Sequence, residues 1–293
     1  MYKNITQIDC NKNKRSWTTQ LEGWNMKLQD IYRAYEGKSP NEWQRLQSSP
    51  YTRLEYLITT HCLARFLPAN GFVLDAGSGP GRYAIHLAKQ GYKIAMFDLI
   101  HAMLTLGREK VTKEGISNQK VSITEGDISS LPYATSTFDA VISLGAPLSH
   151  LTNEVLRVRA VNEMIRVLKP GGFLFLTGLT RMAIYRSMVY WMNEDLINQF
   201  KTEEIQKSGI YDGSVRWYAF QPGELRGLIQ DAGAKIVDEV GCEGLAAHLP
   251  AEHLERVEQD PELWKPWKDL LLGTCNEPSI VGISNHLLVI GQK

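Results

Sequence analysis

Val73-Leu74-Asp75-Ala76-Gly77-Ser78-Gly79-Pro80-Gly81-Arg82 is the segment on which the fold is read: an apolar run, a turn rich in glycine, and the start of an amphipathic stretch. Glycine tolerates φ > 0 and lets a ligand approach the main chain. A helix beginning near Gly81 would add unpaired N–H groups. A strand before and a helix after are the setting in which such glycines carry meaning. A dinucleotide turn would want its third glycine at position 82, where Arg82 stands. Pro80 withholds an N–H from a diphosphate, and Asp75 at the strand end would set a carboxylate against two phosphates. The same features suit a cationic ligand that carries no phosphate.

Working outward, short apolar runs alternate with longer amphipathic ones. Strands are expected at Phe72–Asp75, Lys93–Asp98, Val121–Glu125, Ala140–Leu144, Gly172–Thr177, Lys235–Val240 and Asn285–Gly291. Helices are expected at Gly81–Gln90, His101–Glu114, Asn153–Leu168, Pro222–Ala232 and Leu254–Leu272. Such alternation indicates βαβ units and a parallel sheet, and the scarcity of polar alternation within the strands fits a sheet covered on both faces. Upstream, Trp17–Leu67 has helical spacing broken at Ser39-Pro40 and Ser48-Ser49-Pro50, which reads as two or three helices. Arg181–Lys207 reads as one long aromatic-rich helical stretch and Ser208–Val215 as a loop, together either a surface decoration or a lid over the carboxyl edge of the sheet. The division expected is a helical cap over 1–68, a core over 69–180, a helical lid insertion over 181–218, and completion of the core over 219–293 with an insertion at 242–283.

The 293 residues carry 32 Lys+Arg against 32 Asp+Glu, a formal net charge of zero, which argues against affinity resting on broad attraction to nucleic-acid phosphates. Cys10, Cys62, Cys242 and Cys275 are scattered without metal-ligand spacing, as in a reducing compartment. Met1–Trp17 is polar, and no apolar run reaches the roughly 18 residues of a membrane span. A cytoplasmic protein with no metal, no membrane and no nucleic-acid partner is expected, as a monomer or homodimer.

Asp98, at the tip of the second strand, suits paired hydrogen bonds from ribose hydroxyls, or else caps the helix that follows. Asp127, after the third strand, could accept from an adenine amino group while Ile128 packs on the ring. These segments resemble the class I S-adenosylmethionine (SAM)-dependent methyltransferases. The similarity is carried by Val73–Gly81, Asp98 followed by Met103, Gly126-Asp127, Phe138-Asp139-Ala140-Val141-Ile142-Ser143 and Arg166-Val167-Leu168-Lys169-Pro170-Gly171-Gly172. It is close over about residues 70–180 and looser beyond. It implies an α/β, Rossmann-like, mostly parallel seven-stranded sheet with the last strand antiparallel. It also implies SAM as cofactor and S-adenosyl-L-homocysteine as product. Asp75, Gly77, Gly79 and Gly81 would line the methionine part, Asp98 and Leu99 the ribose, and Asp127 and Ile128 the adenine; Ala76, Ser78, Met103 and Leu144 complete the set. Arg82 departs from the pattern, pointing either to solvent or into the acceptor pocket.

Methyl transfer is an in-line displacement that asks the protein to align an acceptor and, for a phenol or alcohol, to take its proton. Leu144-Gly145-Ala146-Pro147-Leu148-Ser149-His150 should flank the methyl group; it lacks both a Pro-Pro-aromatic and a Pro-Cys arrangement, which weakens nucleic-acid readings. His150 is the candidate base, or a capping or packing residue. Tyr32, Tyr35, Tyr51 and Arg53 are candidates to close the acceptor pocket from the N-terminal helices, with Trp191, Trp217 and Tyr218 shaping it from the lid. Arg45 or Arg53 could pair with the SAM carboxylate; His248 reads as structural. The expected activity is methylation of N, O or S of a small molecule. RNA- or protein-directed methylation, a nicotinamide oxidoreductase and a non-catalytic SAM-binding regulator are the alternatives.

Overall fold

Each central strand carries apolar residues on both faces, and the structure, a computed structural model, shows why. It describes residues 31, 32, 35, 37–117, 119–191, 194–201, 203–212, 215–221 and 223–293. Strands β1 (Phe72–Ala76), β2 (Lys93–Asp98), β3 (Val121–Glu125), β4 (Phe138–Ser143), β5 (Leu168–Leu179), β8 (Lys235–Gly241) and β9 (His286–Gln292) form a seven-stranded sheet in the order β3-β2-β1-β4-β5-β9-β8. All run parallel except β9, which lies antiparallel between β5 and β8. Successive residues of a strand point to opposite faces. Val73, Met96, Ile142, Phe175 and Ile290 join one buried cluster, and their neighbours Leu74, Phe97, Val141, Leu174 and Val289 join another.

Helices α2 (Pro50–Phe66), α3 (Arg82–Lys89) and α4 (His101–Lys113) contribute to the first cluster, α5 (Glu154–Val167) and α9 (Glu224–Asp231) to the second. Helix α1 (Ser39–Arg45) precedes α2. The breaks expected at Ser39-Pro40 and Ser48-Ser49-Pro50 are helix starts, with Pro in the first turn of both α1 and α2 and a reciprocal cap between Ser49 and Thr52. The rest of the expected N-terminal cap, residues 1–30, lies outside the described residues.

Three expectations are corrected. Arg181–Lys207 is not one helix but α6 (Arg181–Trp191), α7 (Glu194–Lys201) and α8 (Glu204–Ser208). Ser208–Val215 is not only a loop, because β6 (Ile210–Asp212) pairs antiparallel with β7 (Arg216–Tyr218). Leu254–Leu272 divides into α10 (Ala251–Gln259) and α11 (Pro261–Thr274) at Asp260, whose carboxylate accepts from the N–H of Glu262 at 2.9 Å while Pro261 opens the next helix. A short helix α12 (Pro278–Ile283) leads into β9. Asp139, part of the motif at β4, is structural: it accepts from the Phe72 N–H at 2.8 Å and from Lys169 Nζ at 2.7 Å, tying the far ends of β1, β4 and β5 together.

Candidate functional site

The carboxyl ends of β1, β2 and β4 meet beneath a pocket whose roof comes from the N-terminal helices. Its walls include Gly77, Ser78, Gly79, Asp98, Leu99, Met103, Asp127, Ile128, Leu144 and His150, together with Tyr35. Gly145 and Pro147, from the segment expected to flank the methyl group, also line it. Sequence reasoning did not single out the further lining residues Ile31, Glu42, Leu46, Tyr83, Ile100 and Leu151.

The turn is held by its own hydrogen bonds. The N–H groups of Gly77 and Ser78 donate to Phe97 O at 2.7 and 3.1 Å, Gly79 N–H to Asp98 Oδ2 at 2.7 Å, and Gly81 N–H to Ser78 O at 3.0 Å. Pro80 has no N–H, so the turn has spent its donors and offers no nest to a diphosphate. Gly77, Gly79 and Gly81 have φ of +84, +51 and +82°. A side chain at Gly77 would meet Pro147 at 2.5 Å and one at Gly81 would meet Met96 at 2.5 Å, whereas Gly79 faces open space. Gly79 therefore borders the pocket and Gly81 serves packing: Gly81, like Asp75 and Ala76, lies behind the pocket wall.

Asp75 is 2% exposed, and its Oδ2 has no partner. Burial first, and Asp98 second, push its carboxyl up to about 8. A ligand cation nearby would offset that cost. Asp98 accepts at Oδ1 from the Ile100 N–H at 2.8 Å as well as at Oδ2 from Gly79. Burial holds it above its usual value, an effect those main-chain donors offset only in part. It thus braces the turn ahead of α4, whose N-cap is Ile100, and still has lone pairs for a ligand. Asp127 accepts from the Ser129 N–H at 2.8 Å through one oxygen.

Between β4 and α5 the chain turns through Gly145 and Ala146 with φ of +78 and +63°. Ala146 is held there by its N–H bond to Thr177 Oγ1 at 2.8 Å, and Ser149 Oγ accepts from Leu179 N–H at 3.1 Å. Such strain is characteristic of sites that must present a side chain. The one presented is His150, whose Nε2 is 2.8 Å from Tyr35 Oη. Trp217 of β7 meets the ring edge-on at 6.0 Å between centroids. Burial alone lowers the imidazole to about 4, so it is neutral at pH 7, and its Nδ1 has no partner. Burial likewise raises the Tyr35 phenol far above its usual value.

The remaining candidates separate cleanly. Tyr32 stands by the mouth, its phenol raised by burial and by the Glu125 and Asp98 carboxylates. Tyr51 donates to Leu249 O at 2.5 Å and Arg53 Nε to Glu258 at 2.9 Å, so these two do not line the pocket but pin α2 to its neighbours. Trp217 touches the pocket only through His150, and the side chain of Trp191 lies outside the described residues. Tyr218 is structural, stacked 3.5 Å from the Arg157 guanidinium. His248 bonds to Ile283 O at 3.1 Å. Arg82 lines the pocket but neither points to solvent nor stays free. It donates to Trp43 O at 2.7 Å and Gln47 Oε1 at 2.9 Å and lies 3.9 Å over the Trp43 ring, clamping α1 and the link to α2 onto the glycine turn.

Among the described residues, no helix is long and apolar enough to cross a membrane. Residues 73–172 match the methyltransferase-domain family. The chain is 31% identical over 175 residues to the ubiquinone/menaquinone biosynthesis C-methyltransferase UbiE of Klebsiella pneumoniae, covering 57% of this chain and 67% of that protein. It is 36% identical over 111 residues to the tRNA (carboxymethyluridine(34)-5-O)-methyltransferase of Arabidopsis thaliana, covering 38% of this chain and 24% of that protein's length. It also covers only 43% of a demethylmenaquinone methyltransferase of Bacteroides fragilis. The fold is shared, at a TM-score of 0.55 and 14% identity, with the 1,6-didemethyltoxoflavin-N1-methyltransferase of Burkholderia thailandensis bound to its substrate and S-adenosylhomocysteine, over 93% of this chain and 89% of that one. The strand order, the spent donors of the glycine turn and these likenesses lead to one family: the chain belongs to the class I SAM-dependent methyltransferases.

Proposed function

We infer that the protein transfers a methyl group from SAM to a small-molecule acceptor held between His150, Tyr35 and the end of β4. The observation that carries this is the pocket's division of labour: the carboxylates of Asp98 and Asp127 after β2 and β3, no free main-chain donors at the glycine turn, and a tyrosine–histidine pair in the same lining. SAM supplies a methyl group already activated on a sulfonium. Asp98 would accept from the ribose hydroxyls and Asp127 from the adenine amino group, with Leu99, Met103 and Ile128 packing on the rings. Asp75, kept mostly protonated by burial in the free protein, would ionise beside the ligand's cationic end.

Across the pocket, Tyr35 and His150 form a two-step proton path. The acceptor's proton moves to the Tyr35 oxygen as the phenol proton passes to His150 Nε2, in the tautomer that carries hydrogen on Nδ1. The imidazolium so formed appears as the sulfonium charge is lost, so the buried site keeps its net charge. An oxygen or acidic carbon acceptor needs this path; an amine needs it less.

The relatives' acceptors include quinones and a tRNA by name. A small molecule is favoured here because Glu42, Glu125 and Asp127 stand around the mouth, whereas a polyanion needs a basic rim. The decisive test is incubation with methyl-labelled SAM and fractionated metabolites, followed by detection of S-adenosylhomocysteine and a product heavier by one methyl group. Asp98→Asn should weaken SAM binding by about 1–3 kcal/mol, read by calorimetry. Failure of the wild type to bind SAM or S-adenosylhomocysteine would refute the reading.

A further inference from the structure

Trp217, a candidate for shaping the acceptor pocket, meets it only through His150. It belongs to the β6–β7 pair, in register with Tyr211. Trp217 and Tyr218 are consecutive in a strand, so their side chains leave on opposite faces. The indole stands against the His150 imidazole with the ring planes at 79°. The Tyr218 ring covers the Arg157 guanidinium at 3.5 Å. Arg157 of α5 in turn donates through Nη1 to Leu151 O at 2.8 Å, one residue beyond the histidine. The short turn Pro147–His150 is thus gripped twice: Arg157 holds the main chain that leaves it, and Trp217 stands against its last side chain.

An imidazole turns readily about its χ2 bond and can present either nitrogen or a carbon edge. Here Nε2 stays on the Tyr35 hydroxyl, with the phenol ring perpendicular at 5.3 Å between centroids. Nδ1 is shut off from water and has no partner among the described residues, and neither has the indole Nε1 of Trp217. A buried indole N–H ordinarily finds an acceptor, so the placement of Trp217 is not explained by bonding of its own. Nor does a neighbouring charge set the state of the imidazole, because burial is the one cause of its lowered value. On α1, Glu42 lies 3.6 Å from Arg45, which also binds Glu55. On the β6–β7 pair, Asp212 and Arg216 pair at 3.1 Å, and the Tyr218 phenol donates to Glu224 at 3.0 Å. On α5, Arg157 is committed to Leu151 O and the Tyr218 ring. β5 brings Thr177 and Leu179 to this turn, neither of them ionisable. Asp98 and Asp127 lie in the same pocket and accept main-chain N–H groups there.

We propose that Trp217 is a positioning residue for His150: from outside the pocket it holds Nε2 on the Tyr35 hydroxyl and keeps water from the far side of the ring. This rests on the proton path inferred above and names the residue on which that path depends. With the indole in place, the imidazole has one way to sit and one nitrogen free to accept. With the indole gone, water reaches Nδ1, the ring is free to turn, and the imidazolium becomes the easier form at mild acidity. The β6–β7 pair then serves the chemistry without touching either reactant.

Nuclear magnetic resonance on protein carrying 15N- and 13C-labelled histidine tests this without an acceptor, alongside calorimetry with S-adenosylhomocysteine. In the wild type the His150 signals should show hydrogen on Nδ1 alone at neutral pH and stay those of a neutral ring down to about pH 5.5. Trp217→Thr, which suits a strand but removes the ring, should raise the midpoint of His150 by roughly one to two pH units and give a mixture of tautomers. Trp217→Leu is the second probe if the threonine protein folds poorly. Trp217→Phe, which restores a flat ring, should recover most of the wild-type behaviour. S-adenosylhomocysteine binding should be the same in all of them, because the indole does not reach the cofactor side. An unchanged midpoint and tautomer in both ring-less variants would overturn the proposal and leave the methyltransferase reading standing. Loss of S-adenosylhomocysteine binding in step with the change at His150 would mark Trp217 as a support of the whole pocket and overturn its assignment to the histidine. Failure of the wild type to bind S-adenosylhomocysteine would overturn the functional reading and this role with it.

Discussion

His150 is half-buried at the pocket wall and has a single polar partner, the Tyr35 hydroxyl. Its imidazole is lowered by burial to about 4 from 6.5, so on acidification the unfolded chain takes up the proton first. The native state is therefore unaffected above about pH 6.5 and loses stability as pH falls toward 4, by on the order of 3 kcal/mol from this one residue. Denaturant titrations at pH 7.5 and 4.5 should show a smaller acid penalty in His150→Phe than in the wild type. His150 was visible in the sequence because it follows β4 in a family-like segment. Its Tyr35 partner was visible only as one tyrosine among several, because a contact across 115 positions leaves no local pattern. The same holds for Arg82: its charge beside the glycine turn was legible, but its stacking on Trp43 depends on where α1 lies.

The elements best read in advance are those that packing and propensity both demand. β2 and β3 begin and end where the sequence reading put them, the buried run Ile94–Asp98 marking β2 and Val121 and Ile123 marking the edge strand β3. The helices after β5 were read less well. Arg181–Lys207 keeps one helical period throughout, so the left-handed Glu203 ahead of α8 makes no break in the pattern. Asp260-Pro261 was a legible start signal overlooked inside a continuous apolar pattern. Between the glycine turn and the segment after β4, the fit is steric. Gly77→Ala would drive a methyl group to 2.5 Å from Pro147 at a φ of +84°, two penalties at one place. It should destabilise the protein by roughly 2 kcal/mol or more, read from chemical unfolding, and weaken SAM binding, because the relief available is movement of the pocket wall.

In the whole molecule the pocket is built by two regions far apart in sequence, the N-terminal helices that roof it and the strands that floor it. A ligand bound there should hold both together. Raising S-adenosylhomocysteine to about 100 times its dissociation constant should add roughly 2.7 kcal/mol of stability, or an upward shift of about 5–10 °C in the unfolding temperature. Differential scanning fluorimetry reads it directly, and no shift would mean that the ligand does not bind the folded state. The sheet order could be expected from family likeness, but nothing local announced that His286 would reach back to Glu55. That reach also has a temporal meaning. β9 slots between β5 and β8, and its first side chain pairs with Glu243. During synthesis the glycine turn and its flanking strands emerge long before β9 does, so a half-made chain has β5 as an open edge. The sheet that floors the pocket closes only once the ribosome has delivered β9.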